Sequence, residues 1–222
     1  MKIVCVRIGD RYGPEYEEYL ERKLPEYEVV WVREPIQDNV QLQWNKMFGM
    51  TLDLDEPICV MDIDILLLND YKKIFEHPIQ KGEFLTIKSW WKDTEYSHFT
   101  INGGFYKYYP TDCKYIYDKF MENPAYYQRK YIDEGYTTGP VNGEQHFIED
   151  SVNEKLKLCY LPESWVCRFK DDNLKKLNCK YKDVTGNPYM FLGKEFHSDI
   201  KFAHFTHSEN LPHRWKYYEL FV

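Results

Sequence analysis

The chain has 222 residues, a net charge of −7 and no long basic run. That length suits one α/β domain, or at most a domain with a small appendage, and it can bury a core without staples. The acidic balance argues against nucleic acid as a partner, because backbone binding needs a basic footprint.

The elements follow from the apolar periodicity. Residues 2–8 (KIVCVRI) form a nearly continuous apolar run, as in a strand buried on both faces of a parallel sheet. A helix follows, with Pro14 in its first turn and Glu15, Glu17 and Glu18 at its positive end. Residues 27–32 (YEVVWV) are a second strand. Asp38 or Asn39 then caps a helix running to about Leu52, with Val40, Leu42, Met47, Phe48 and Met50 on its apolar side. Residues 56–64 (EPICVMDID) are the third strand, and this β-α-β-α-β order predicts a parallel sheet with right-handed crossovers. Strands over 82–91 and 99–109 come next, then a helix over 111–123, a helix over 142–156 and a strand over 157–161. The polar stretch from Pro162 to Phe196 reads as long loops, and Ile200–Phe205 as a last strand. There is no internal repeat.

Six cysteines, Cys5, Cys59, Cys113, Cys159, Cys167 and Cys179, form no C-x-x-C pair, which argues against a zinc cluster. Cys5, Cys59 and Cys159 lie in apolar runs and are expected as small core residues. The N-terminal apolar run is too short for a signal peptide, no run has the roughly 18 apolar residues of a membrane span, and no Asn lies in a glycosylation sequon. A soluble, cytoplasmic protein in a reducing compartment is the expectation.

The chemistry starts at Asp62 and Asp64. Acids at i and i+2 on a strand point to one face, and in open α/β sheets ligands bind at the carboxyl ends of strands. Two acids held there repel unless a cation joins them, and oxygen ligands suit Mg²⁺ or Mn²⁺ with a ligand diphosphate. Two other readings fit the pair alone. The acids could be solvated at a strand end. They could also be the D-x-D-x-[TV] of a haloacid-dehalogenase-type phosphohydrolase, although the fifth position is Leu66 and the pair is on the third strand rather than the first.

Ordered motifs across most of the chain decide between these readings. Residues 59–64 (CVMDID) resemble the strand and D-x-D of the GT-A glycosyltransferases of family 8, the glycogenin and galactosyltransferase-like group. Lys46 stands 16 residues before Asp62, where that family has a donor-binding lysine. Residues 99–110 (FTINGGFYKYYP) are similar to its FNSGVxVYxP segment, with Asn102 as donor-sugar contact and Gly103 and Gly104 as close-approach glycines. Residues 141–148 (VNGEQHFI) resemble GGDQxxLN, with Glu144 for Asp and Gln145 retained. Residues 202–215 (FAHFTHSENLPHRW) are similar to the closing HFxGxxKPW, which makes His204 the third metal ligand.

The resemblance implies a GT-A, Rossmann-like nucleotide-binding fold with a central, mostly parallel sheet flanked by helices. It implies a UDP-sugar donor, a glycan or glycoprotein acceptor, Mn²⁺ or Mg²⁺ at Asp62, Asp64 and His204, and retention of configuration. The expected division is one domain, 1–222, with a nucleotide-sugar and metal half over 1–110 and an acceptor half with the C-terminal metal segment over 111–222. More narrowly, the chain is similar to the N-terminal glycosyltransferase domain of a multidomain protein of chloroviruses. That implies capsid-glycan synthesis in the host cytoplasm, with glucose or rhamnose transferred.

The departures sit at the closing motif. His207 stands at its glycine, the spacing to Trp215 is longer, and Arg214, or less favourably His213, takes the phosphate role of its lysine. The acid before GGDQ has no counterpart at Val141 or Asn142. Other residues keep two readings. Asn102-Gly103-Gly104 is a plain hairpin turn or a ligand-facing one. In the loop after the first strand, Tyr12 could stack on uracil while Asp10 and Arg7 bond its edge or the ribose, or the loop is an ordinary turn with Arg7 paired to an acid. Trp90 and Trp91 line an acceptor site or simply pack. Glu144 or Asp172 would be the base of an inverting enzyme.

Overall fold

The computed structural model describes residues 1–89, 99–139, 143–169, 177–179 and 199–205. Trp90, Trp91, Val141, Asn142, Asp172, His207, His213, Arg214 and Trp215 lie outside them.

The apolar runs build a six-stranded sheet. Its strands are β1 (Lys2–Val6), β2 (Glu28–Val32), β3 (Ile58–Met61), β5 (Glu83–Lys88), β6 (Ile101–Tyr108) and β7 (Lys157–Tyr160), in the order β2-β1-β3-β6-β5-β7. β1 pairs in parallel with β2 and β3, and β5 with β7, while β6 runs antiparallel to β3 and β5. A smaller sheet, β4-β10-β8-β9, joins β4 (Ile65–Leu67), β8 (Val166–Phe169), β9 (Leu177–Cys179) and β10 (Phe202–Phe205). Strands β8 and β9 lie inside the stretch 162–196 that reads as loops in the sequence. Their pairing is with each other and with β10, and such long-range pairing leaves no periodic signature in so polar a stretch.

Alternation along β1 sorts the core. Ile3 and Cys5 face α1 (Pro14–Lys23) through Tyr16, Tyr19 and Leu20, together with Leu66, Phe202 and Ala203 of the small sheet. Val4 faces the other way with Val60, onto Trp44, Met47 and Met50 and the helices α3 (Pro110–Glu122), α4 (Pro124–Asp133) and α5 (Gly143–Lys155). A short α2 (Lys72–Glu76) follows β4. Cys5, Cys59 and Cys113 are buried free thiols and Cys159 is half-buried. Among the described residues no helix is long and apolar enough to cross a membrane.

Three local expectations are corrected. The helix before β3 is a 3₁₀ segment, Leu42–Thr51, and neither Asp38 nor Asn39 caps it: the capping position is Gln41, with no side-chain bond. Three residues per turn line up Trp44, Met47 and Met50 against the sheet, and Leu42 and Phe48 are only half-buried. The buried Asn45 instead ties the segment to the chain before it, accepting from Ile36 N at 2.8 Å and donating to Leu42 O at 2.9 Å. Secondly, β3 ends at Met61, so the two acids sit in the crossing from the large sheet to the small one rather than on a strand. Thirdly, α4 has no counterpart among the predicted elements, although its signal is present: Asn123 accepts from Tyr126 N at 3.1 Å and Pro124 opens the first turn.

Candidate active site

Asp62 follows β3 and Asp64 precedes β4, so the acids converge because the chain changes sheets between them. His204 reaches them from β10, whose register sets it opposite Ile65. Its Nε2 lies 3.3 Å from Asp62 Oδ2 and 3.3 Å from Asp64 Oδ1. Ligand atoms of the three residues all lie within 4.8 Å of one another.

Each carboxylate has its second oxygen engaged elsewhere. Lys46 Nζ lies 2.5 Å from Asp62 Oδ1 and donates to Gly103 O at 2.7 Å. The Tyr12 hydroxyl donates to Asp64 Oδ2 at 2.9 Å. One oxygen of each acid faces the imidazole nitrogen, and these two hard oxygens with one borderline nitrogen are a donor set that a divalent cation such as Mn²⁺ or Mg²⁺ fits.

The backbone beside this cluster is shaped for close approach. Asn102-Gly103-Gly104 is neither of the expected turns; it lies within β6, where the register against β5 slips between Thr86 and Ile87. Thr86 Oγ1 donates to Phe105 O at 2.9 Å, Asn102 Oδ1 accepts from Gly104 N at 3.0 Å, and Gln145 Oε1 accepts from Gly103 N at 3.1 Å. A Cβ on Gly104 would stand 2.9 Å from the His204 ring and 2.9 Å from Asn102 Oδ1, so glycine is required for the imidazole to lie there.

Charge balance follows from burial. Burial opposes the ionised form of Asp62, but the Lys46 charge and the hydrogen bond from His204 outweigh it and hold the carboxyl well below the usual range. Burial likewise opposes the His204 imidazolium, yet hydrogen bonds to Asp62 and Asp64 push its pKa up to about 9. Lys46 stays charged because Asp62 and Glu144 more than offset its burial. Glu144, at the start of α5, is only 2% exposed. Burial raises its pKa to about 7 against the opposing pull of Lys46. Its Oε2 accepts from Tyr106 Oη at 3.3 Å, and its Oε1 has no partner among the described residues.

The loop after β1 is tied down. Arg7 pairs with Glu17 at 3.0 Å and donates from Nε to Tyr12 O at 3.0 Å, the arrangement of an ordinary turn with a paired arginine. Asp10 is exposed at the loop.

Sequence reasoning missed Thr86, Tyr106 and Glu149. Glu149 on α5 accepts from Thr100 N at 2.8 Å, Thr100 Oγ1 at 2.6 Å and Ile101 N at 3.1 Å, and so anchors the start of β6. Only a predicted register of β6 against β5 and α5 could have exposed these roles.

No family model matches the chain, and neither does any curated protein. Solved structures do. The galactosyltransferase LgtC, in complex with donor and acceptor sugar analogs, is similar at a TM-score of 0.55 and 9% identity, over 100% of this chain and 96% of that one. A glycosyltransferase involved in glycosylation of the major capsid of PBCV-1 is similar at 0.52 and 13% identity, over 97% and 98%. The glycosyltransferase GlyE of Streptococcus pneumoniae TIGR4 is similar at 0.52 and 9% identity, over 98% of this chain and 59% of that one. The chain has the GT-A fold that these glycosyltransferases share.

Proposed function

We propose that the chain is a metal-dependent glycosyltransferase. It transfers a sugar of the glucose or rhamnose class from a UDP-sugar to a hydroxyl of a glycan or glycoprotein acceptor, with retention. The observation that carries this is the Asp62–Asp64–His204 set at the end of β3, with Lys46 on its flank, in a GT-A fold. Residues 1–110 form the donor and metal half. Residues 111–222 form the acceptor half, from which Glu144, Gln145 and His204 reach the donor site. Likeness to the PBCV-1 enzyme supports a place in viral capsid-glycan synthesis, in the host cytoplasm.

Asp62, Asp64 and His204 would hold Mn²⁺ or Mg²⁺, which when bound supplies positive charge against a departing diphosphate. Lys46 is buried, charged and fixed by Asp62 and Gly103 O, so it adds preorganised positive charge at the same place. Glu144 Oε1, without a partner among the described residues, accepts a hydroxyl of the donor sugar, and Asn102 and Gln145 fix the Gly103–Gly104 backbone beside it. Tyr12 and Asp10 stand on the loop where the base belongs. Arg214, assigned to the diphosphate, completes the set from the sequence.

The test is UDP release across a panel of UDP-sugars with Mn²⁺, with and without glycan acceptors. Release that depends on Mn²⁺ and vanishes in Asp64→Ala is expected. Absence of release with every donor and acceptor would leave a binding module, and turnover of simple phosphomonoesters would point to a phosphohydrolase. NMR of the product's anomeric centre decides retention; an inverted centre ends that part of the proposal.

A further inference from the structure

The metal site and the loop after β1 share one hydrogen bond, from Tyr12 Oη to Asp64 Oδ2 at 2.9 Å. Tyr12 is not free to swing. Arg7 holds its carbonyl at 3.0 Å and is itself held by Glu17 at 3.0 Å. The Tyr12 ring packs edge-on against buried Tyr16 at 5.0 Å, and Arg11 lies over it at 5.5 Å. A phenol hydroxyl facing a carboxylate oxygen at 2.9 Å is the donor of the pair. A fixed donor at a fixed place dictates how Asp64 can turn: Oδ2 is committed to the phenol, and Oδ1 is the atom that faces His204 Nε2 at 3.3 Å. The same logic operates on Asp62, where Lys46 takes Oδ1 and Oδ2 faces the imidazole.

We infer that Tyr12 is a positioning residue for the metal site: its hydroxyl reserves one oxygen of Asp64, presents the other to the cation, and thereby couples metal occupancy to the order of the loop over residues 9–13. This rests on the metal-binding reading of Asp62, Asp64 and His204. It assigns Tyr12 a task separate from stacking on a base, because stacking uses the ring face and this task uses only the hydroxyl.

Tyr12→Phe separates the two, since the ring stays and the hydroxyl goes. Mn²⁺ is titrated into the protein–UDP mixture and the free ion read by electron paramagnetic resonance, for wild type, Tyr12→Phe and Asp64→Ala. Outer-sphere partners of metal ligands typically contribute 10- to 100-fold in affinity. Tyr12→Phe should therefore weaken Mn²⁺ binding about tenfold or more. Hydrogen exchange gives a second reading: Mn²⁺ should slow amide exchange over residues 9–13 in wild type and not in Tyr12→Phe. Unchanged or tighter Mn²⁺ binding by Tyr12→Phe overturns the inference, as does exchange over 9–13 that ignores Mn²⁺ in wild type. If Asp64→Ala keeps wild-type Mn²⁺ affinity, the metal assignment itself fails, a result distinct from a silent Tyr12→Phe.

Discussion

Glu144→Gln isolates the electrostatics of the buried carboxyl at the start of α5. Glu144 is buried, has a carboxyl raised from the ordinary 4.5 to about 7, and leaves Oε1 without a partner among the described residues. An acid whose pKa is higher in the folded state than in the unfolded chain takes up a proton on folding between those two values. Its contribution to stability is complete below pH 4.5 and is lost as pH rises through 7. The interval from 4.5 to about 7 sets a ceiling of about 3 kcal/mol. Glutamine does not titrate, so the variant lacks this loss.

The quantity to measure is the wild-type-minus-variant difference in unfolding free energy, from urea titrations in EDTA at pH 4 and pH 8. Whatever glutamine does to packing cancels in the change between the two pH values, and so does His204, which both proteins share. Wild type should lose about 3 kcal/mol relative to the variant over that range, which is about 1 M or more in relative urea midpoint at typical slopes. A difference that stays constant within about 0.5 kcal/mol would refute the desolvated, sugar-facing carboxylate. The functional counterpart follows from the same atom. A buried unpaired acceptor costs about 1–3 kcal/mol, which a donor hydroxyl recovers; glutamine keeps an acceptor oxygen, so Glu144→Ala, which removes it, is the variant that should weaken donor binding.

Two more predictions come from His204 and its neighbour. Gly104→Ala drives a methyl against the imidazole; we expect about 1–3 kcal/mol of destabilisation in urea and loss of Mn²⁺ binding, and a variant that binds Mn²⁺ normally would show that His204 does not lie on that glycine. His204 has a folded pKa of about 9 against an ordinary 6.5, so its stabilising effect is complete below 6.5 and disappears as pH rises through 9. In EDTA the melting temperature of wild type should fall over that window, while His204→Asn should lack this component; parallel curves would remove the imidazolium from the site.

What was legible in the sequence was what local composition carries. Ile58–Met61 announces a central strand, and Asp62, Lys46 and His204 stand at spacings that a family pattern supplies. What was not legible depends on register and on tertiary competition. Leu42–Thr51 has apolar residues that suit either helix type, and close packing of Gly49 against β3 and Tyr108 accompanies the tighter one. Asn102–Gly104 looks like a turn until the slip opposite Thr86 is known. Nothing in the composition of Pro162–Phe196 distinguishes loop from the strands at Val166 and Leu177, because their partners are each other and β10. Asn123-Pro124 is the exception, a cap-and-proline signal that was present and not read.

The remaining question is what holds the two acids together before any cation arrives. Asp62 is engaged on both oxygens, by Lys46 and by His204, and Asp64 by Tyr12 and His204. The imidazolium therefore stands between the carboxylates where a divalent ion would otherwise be needed to offset their repulsion. A metal-ligating nitrogen must be unprotonated, so under the proposed metal role a cation would compete with the proton on His204 and expel it. With Lys46 already charged and fixed, that exchange would add net positive charge beside Gly103 and Gly104, where the proposed function calls for a diphosphate to be held.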